Sequence, residues 1–372
     1  MAQKTTLTTT RWQRCGALLG LGVLAALATG CGSGNDDGES QPAPHDIVVN
    51  LDGEVAVLDD LDASPRVVGP RPAGAEDADA YRLANPRQLA SGMIVGMRDA
   101  GVVAIAPSEP GRAVLLGPAG AWFPSTDGKQ LWAVTEEPAD TACAGQRLPQ
   151  TVTTRFTVSK YETTGRPSRT SLTLPCGLRP LADTSQGLLA VRTTGDAVGS
   201  GNGVRAKTEI VLLNAQASAA VKTIAADASV VATSNNRVIW RDDVCSKGNC
   251  TQAYDLKKRK SEQVPSCEGG DTVGVGTLDH SGRWYASDLR SNHLAILDLS
   301  RNTCRDLDIS PALDSSDIEH TFGVAWSGQS LLLLDERSGD LTSINAVNSK
   351  IDKRVKPLRV VNKAQIWGAA TD

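Results

Sequence analysis

The chain is poor in histidine, with four in 372 residues. His45, His280, His293 and His320 stand apart, none paired at ligand spacing, so a histidine-based metal centre is not expected. Positive charge is not in excess: 38 basic residues face 42 acidic ones. That balance gives no general attraction to nucleic acid or anionic lipid. Beyond residue 29 there is no apolar run of spanning length, and beyond residue 46 no Pro/Gly/Ser-rich linker. Long helical periodicity is also missing. Only LNAQASAAVKTIAADA (213–228) reads as helical, and its Val221–Ile224 core favours a strand.

What the chain does have begins at its N-terminus. Residues 1–14 carry Lys4, Arg11 and Arg14 and no acid, and the uncharged run CGALLGLGVLAALAT (15–29) follows. The run is shorter than the ~20 residues of a spanning helix and sits behind a basic segment, which is the pattern of a secretory signal. LATGC (27–31) places small residues at Thr29 and Gly30 ahead of a cysteine. It resembles the lipobox of bacterial lipoproteins. The resemblance implies a signal peptide over 1–30 and a diacylglyceryl group on Cys31. The lipid would anchor the protein on the outer face of a cell membrane, at the cell surface or on the periplasmic side. GSGNDDGESQPAPHD (32–46) has almost nothing to bury, so 31–46 is expected to be a disordered tether. Losing the three basic residues of the signal leaves 35 basic against 42 acidic, a net charge of −7.

The remainder, 47–372, repeats. A small turn pair recurs about every 47 residues: Ser91-Gly92, Asp127-Gly128, Gln186-Gly187, Asn235-Asn236, Ser281-Gly282 and Ser327-Gly328. An apolar strand follows each one, such as QLWAV, RVIWR or SLLLL. In the clearest unit, 272–309, four short strands alternate with turn residues. Four antiparallel strands per 40–50 residues is the pattern of a β-propeller blade. STDGKQLWAV (125–134) and, more weakly, DHSGRWYASD (279–288) resemble the Ser-Pro-Asp-Gly repeats of WD-like and TolB-like bacterial propellers. Six complete units start near 86, 120, 178, 228, 272 and 321. Residues 46–70 supply three more strands and KAQIWGAA (363–370) supplies one. The expected fold is therefore all-β: a seven-bladed β-propeller of four-stranded antiparallel blades, its first blade closed by the C-terminal strand. The register puts Trp122, Trp326 and Trp367 on innermost strands and Trp132, Trp240 and Trp284 on second strands, all six as core.

The stretches that look chemical read as structure. His280 and Ser281 share a tight turn, and Asp288 lies beyond the next strand, which cannot meet the geometry of a catalytic triad. GDAVGSGNG (195–203) leads into a strand rather than the helix a phosphate loop needs. KKRK (257–260) is expected in a solvated turn, and DDLD (59–62) lacks calcium-loop spacing. No catalytic residue, metal or cofactor is expected.

Cys15 leaves with the signal and Cys31 is lipidated, so six cysteines remain. An even number in an exported chain points to disulfides. Cys143–Cys176 would tie a long loop to a blade-to-blade connection, and Cys245–Cys250 would span a hairpin. Elimination leaves Cys267 with Cys304. The expected strand directions put those two at opposite ends of neighbouring blades, so either they are free or the boundary near them differs.

Three successive second-to-third-strand loops, 136–150, 195–206 and 242–250, are long, and they share one face. They carry Glu136, Glu137, Arg147, Asp196, Asn202, Arg205, Asp243, Lys247 and Asn249, the candidate binding face. The innermost strands are mostly small and neutral, with Arg87, Arg179 and Asp183 the only charges near the channel. Two functions follow. One is a monomeric, non-catalytic binding or scaffold module for a protein, peptide or glycan. The other is an extracytoplasmic propeller enzyme, such as a lyase, a glycan hydrolase or a quinone-dependent dehydrogenase.

Overall fold

Short aliphatic and β-branched runs separated by Gly, Asp, Asn and Ser become strands and turns throughout the chain. The computed structural model describes residues 44–69, 83–137, 143, 154–164, 166–194, 207–214, 216–245, 250–267, 276–290, 293–309, 322–355, 358 and 364–369. These all belong to the unit Pro42–Asp372. The expected signal peptide, Cys31 and His320 lie outside the described residues. No helix among the described residues is long and apolar enough to cross a membrane.

The strands form seven four-stranded antiparallel sheets. Blade 1 is β1 (His45–Leu51), β2 (Glu54–Asp60) and β3 (Arg66–Val67), completed by the last strand of the chain. Blade 2 is β4 (Ala84–Gln88), β5 (Ile94–Arg98), β6 (Gly101–Ile105) and β7 (Ala113–Pro118). Blade 3 is β8 (Ala121–Pro124), β9 (Gln130–Glu137), β10 (Arg155–Glu162) and β11 (Pro167–Thr173). Blade 4 is β12 (Leu178–Thr184), β13 (Gly187–Thr194), β14 (Lys207–Leu213) and β15 (Ala220–Ala226). Blade 5 is β16 (Ala228–Thr233), β17 (Arg237–Asp242), β18 (Thr251–Asp255) and β19 (Lys260–Gln263). Blade 6 is β20 (Gly276–Leu278), β21 (Trp284–Arg290), β22 (His293–Asp298) and β23 (Thr303–Asp308). Blade 7 is β24 (Phe322–Ser327), β25 (Ser330–Asp335), β26 (Leu341–Asn345) and β27 (Lys350–Arg354). The last strand, β28 (Ala364–Gly368), pairs with β1 through Val49↔Ile366 and Leu51↔Ala364. Closure by the C-terminal strand is therefore as the sequence implied. Residues 213–228 hold β15 and no helix. His45 and Asp46, assigned to the tether, open β1.

The core is divided among the gaps between blades. Each of seven apolar clusters lies between two successive blades: Ile47, Leu58, Leu332 and Ile366 between blades 1 and 7, for example. Trp284, Ile296, Trp326 and Leu333 do the same between blades 6 and 7. Closing the ring thus buries every blade on both faces, which a linear stack of sheets would not.

Turn chemistry explains where each strand stops. In the turns after β8 and β20, Gly128 (φ +63°) and Gly282 (φ +75°) are left-handed. A Cβ at Gly128 would lie 2.7 Å from Ala90 Cβ, and one at Gly282 would lie 2.6 Å from Ser234 Oγ. Glycine is needed there twice over, for the backbone angle and for contact with the preceding blade. The turns after the third strands of blades 4–7 open on Asn214, Asp255, Asp298 and Asn345. Their side chains accept N–H bonds from Ser218 (2.8 Å), Lys258 (2.9 Å), Ser300 (3.0 Å) and Val347 (2.9 Å). Asp288, expected to start a turn, instead lies within β21 opposite Leu294. The reason is that β21 runs on to Arg290 before reversing.

Two of these turn carboxylates are also clamped from the second strand side. Arg237 donates to Asp255 at 3.2 Å and Arg283 to Asp298 at 2.7 Å. Burial opposes the Asp298 charge, but Arg283, the Ser300 hydroxyl and the Arg301 N–H outweigh it and hold the carboxyl at about 2. Its ordinary value is 3.8. With the folded value below the unfolded one, the stabilisation is complete above about pH 4 and is lost as the pH falls through about 2. It amounts to about 2 kcal/mol. Asp298→Asn is therefore expected to lower stability near neutrality by about that much, with the deficit shrinking as the medium is acidified. Urea unfolding of both proteins across that range reads the gap, and a gap independent of pH would contradict the assignment.

Candidate functional site

Strand alternation sends the second-to-third-strand connections and the blade-to-blade crossings to one face of the ring. The first-to-second and third-to-fourth turns go to the other. On the first face, blades 3, 4 and 5 have long connections at 138–154, 195–206 and 243–250. Blades 1, 2 and 6 connect through 52–53, 99–100 and 291–292 alone, and blade 7 through 336–340. The uneven loop lengths expected from the sequence are present.

The bases of two long loops carry matching ion pairs that the sequence reading missed. Arg155 stands opposite Glu137 in the β9–β10 ladder and donates to it at 2.9 Å, and Thr157 Oγ1 donates to the same carboxylate at 3.0 Å. The Arg155 and Thr157 contacts hold the Glu137 carboxyl below its usual range. Arg192 stands opposite Glu209 in blade 4, with Nε donating at 2.7 Å. A basic residue one side of a long loop and an acidic one the other, in register, was the available signal.

Glu136 and Glu137 were placed in the loop, but both are on β9, opposite Phe156 and Arg155. The ladder extends two residues further because that ion pair and Thr157 hold its end. Glu136 remains exposed. Asp243 is at the start of its loop and accepts from Ser229 Oγ at 3.1 Å. Beside it Val244 is 64 % exposed, a large apolar side chain at the start of the loop. Arg147, Asp196, Asn202, Arg205, Lys247 and Asn249 lie outside the described residues.

All six remaining cysteines are paired. Cys143–Cys176 joins the blade 3 loop to the crossing into blade 4 with Cα atoms 5.8 Å apart, and Cys245–Cys250 closes the blade 5 loop at 5.5 Å. Cys267–Cys304 also forms, at 4.9 Å, and this corrects the expected strand geometry. β19 has only four residues, and after Gln263 the chain crosses at once onto blade 6. Val264 and Cys267 are buried there with Tyr285, Leu297 and Leu299, and Cys304 packs beside them. The crossing thus runs part-way up the blade, level with Cys304. Three disulfides point to an oxidising, extracytoplasmic compartment.

At the centre of the ring is a cavity of about 590 Å³. Its walls are the C-terminal ends of innermost strands and the turns that follow: Gln88, Pro124, Ser234, Asp279, Trp326 and Trp367 among others. It therefore opens on the short-turn face, opposite the long loops. Part of its rim is knitted together between blades. Asn235 Nδ2 donates to the Thr126 carbonyl at 2.6 Å, and Ser185 N donates to the Asn235 carbonyl at 2.9 Å.

Three titratable residues line this cavity: Arg87, Asp279 and His280. Asp279 is buried, and accepts from Trp284 N at 2.6 Å, from Ser281 N at 3.1 Å and from the Ser281 hydroxyl. Burial pushes its carboxyl up despite those bonds. His280 Nε2 is 3.4 Å from Asn235 Nδ2. The Ser281 hydroxyl is engaged with Asp279, so Asp279 and Ser281 form a turn clasp around His280. Asp183, expected near the lining, is used elsewhere: it accepts from Trp132 Nε1 at 3.0 Å and Thr126 N at 3.2 Å, joining blades 3 and 4. Arg87 has no hydrogen-bond or ion-pair partner among the described residues.

No family model and no curated protein matches the chain. Solved structures share its fold. An acylaminoacyl peptidase from Pyrococcus horikoshii aligns with a TM-score of 0.50 and 11 % identity over 78 % of this chain and 46 % of that one. The chain thus spans under half the length of that peptidase. Apo AztD from Citrobacter koseri aligns at 0.45 with 11 % identity, covering 88 % of this chain and 98 % of that one. A nidogen/laminin complex aligns at 0.40 with 8 % identity, over 86 % and 97 %. At such identities the likeness concerns fold alone. Fold and cysteines together define a seven-bladed, disulfide-bridged β-propeller.

Proposed function

We propose that the protein is an exported, lipid-anchored β-propeller that binds a protein, peptide or glycan through its long-loop face. The observation that carries this reading is the grouping of three successive long connections on one face, two of them fastened by disulfides. A repeat fold needs only two residues to reverse a strand, as blades 1, 2 and 6 do, and extra length held on one side supplies a recognition surface. Glu136 and Val244 give that face an exposed carboxylate and an exposed apolar contact. Cys31 and a tether ending before His45 would hold the ring clear of the lipid headgroups. Two acyl chains on Cys31 would anchor stably where a single chain would not.

Cross-linking of the intact protein on its own cell, followed by identification of the captured material, tests both halves. A variant with the three connections cut to two-residue turns is expected to lose the captured partner while remaining on the membrane. Cys31→Ser is expected to appear in the medium or to keep its signal uncut. Capture unchanged by loop removal would refute the binding face. A correctly processed, membrane-bound Cys31→Ser protein would refute the anchor.

A further inference from the structure

We propose that the central cavity is a binding site for a small monocarboxylate, held by the guanidinium of Arg87. This site is distinct from the long-loop face and opens on the opposite side of the ring.

The first argument is that Arg87 is a charge without a purpose in the fold. Arg155, Arg192, Arg237 and Arg283 all pair with a carboxylate at a strand end or turn. Arg87 is on the innermost strand β4, exposed to the cavity, with no partner among the described residues. Its place inside the ring pushes its pKa below the ordinary arginine value, though arginine stays charged. A guanidinium exposed to an enclosed space with no carboxylate to meet it is free to bind an anion there.

The second argument is the shape and chemistry of the space around it. At about 590 Å³ the cavity is within the range of small-molecule sites. Leu181, Val230, Leu278, Val324 and Ile366 supply apolar wall. A patch of apolar wall together with one cation suits a ligand with an apolar part and one acidic end.

The third argument sets the charge of that ligand. A guanidinium fork matches carboxylate and phosphate alike. Among the described residues it is the sole arginine or lysine of the lining, and Asp279 shares the same cavity. A phosphate monoester dianion would bring a second negative charge with no second cation to meet it. A monocarboxylate brings only one, which the Arg87 guanidinium can meet.

The test uses the full chain and three probes of similar size: 4-phenylbutyrate, its neutral amide, and phenyl phosphate. Hexanoate and acetate extend the carboxylate series toward smaller bodies. Ligand-observed NMR and calorimetry are expected to show saturable carboxylate binding, with the amide and phenyl phosphate at least about ten-fold weaker. Arg87→Met is expected to weaken 4-phenylbutyrate by the same factor, while Arg179→Met, outside the cavity lining, leaves it unchanged. Arg87→Met is also expected to melt no lower than the parent, because it removes an unpaired charge. No saturable carboxylate binding at millimolar concentration would overturn the proposal. So would equal binding by Arg87→Met, tighter binding of phenyl phosphate, or a clear drop in the melting temperature of Arg87→Met.

Discussion

A chain ended at Asn362 is expected to lose cooperative unfolding or to aggregate. The reason is that β28 serves three structures at once. It is the innermost strand of blade 1, and its removal leaves β1 with an open edge where Val49, Asn50 and Leu51 now have partners. Open strand edges invite pairing with other chains. Ala364 and Ile366 belong to the apolar cluster between blades 1 and 7, and Trp367 packs into the one between blades 1 and 2. Deletion therefore opens both interfaces of blade 1, and the ring with them. Losing the Ile366 and Trp367 contacts alone costs roughly 5 kcal/mol or more. That is comparable with the whole stability of 5–15 kcal/mol typical of a folded protein. Calorimetry and light scattering on the truncated chain read the outcome. A melt as sharp as that of the full-length protein would mean that blade 1 closes without β28.

The ring was legible in the sequence because its two sources are local. Period-2 apolar runs mark strands, and the Asp127-Gly128 and Ser281-Gly282 pairs mark the turns that need a left-handed residue. The second turn signal, Asn214, Asp255, Asp298 and Asn345, recurs at a similar spacing and would have sharpened the register, but a lone Asx residue is too common to stand out. The Cys267–Cys304 bond was harder to read. It depends on β19 stopping at Gln263, and strand length is set by tertiary packing of Val264 and Cys267 rather than by residue type. The long-loop face was legible as a pattern of lengths, whereas the tie between Glu137 and Arg155 requires the register across an intervening loop. The solitude of Arg87 could not be read at all. Its position near the channel follows from the repeat, but whether a carboxylate comes within reach depends on side chains from six other blades.

Replacing Cys267 and Cys304 together by alanine is expected to destabilise the protein by about 4 kcal/mol, which is close to the loop-closure value for cysteines 37 residues apart. Alanine is the informative choice, because serine at the buried Cys267 would add an unpaired hydroxyl to the cost. Replacing Cys245 and Cys250, only 5 residues apart, is expected to cost about 2 kcal/mol by the same reasoning. Position reinforces the difference. The first bond sits in the apolar cluster between blades 5 and 6, so its loss loosens the crossing between two blades as well as widening the unfolded ensemble. The second closes one hairpin beside the exposed Val244 and crosses no interface between blades. The two pairs should therefore separate stability from recognition. The Cys267/Cys304 variant is expected to melt roughly 10 °C lower, yet to keep partner capture at temperatures where it is folded. The Cys245/Cys250 variant is expected to melt only roughly 5 °C lower but to lose capture, because the loop is no longer closed at its base. Scanning calorimetry alongside the cell-surface cross-linking assay measures both quantities on the same proteins. If the Cys245/Cys250 variant melts lower than the Cys267/Cys304 one, the crossing into blade 6 is not a principal fastening of the ring.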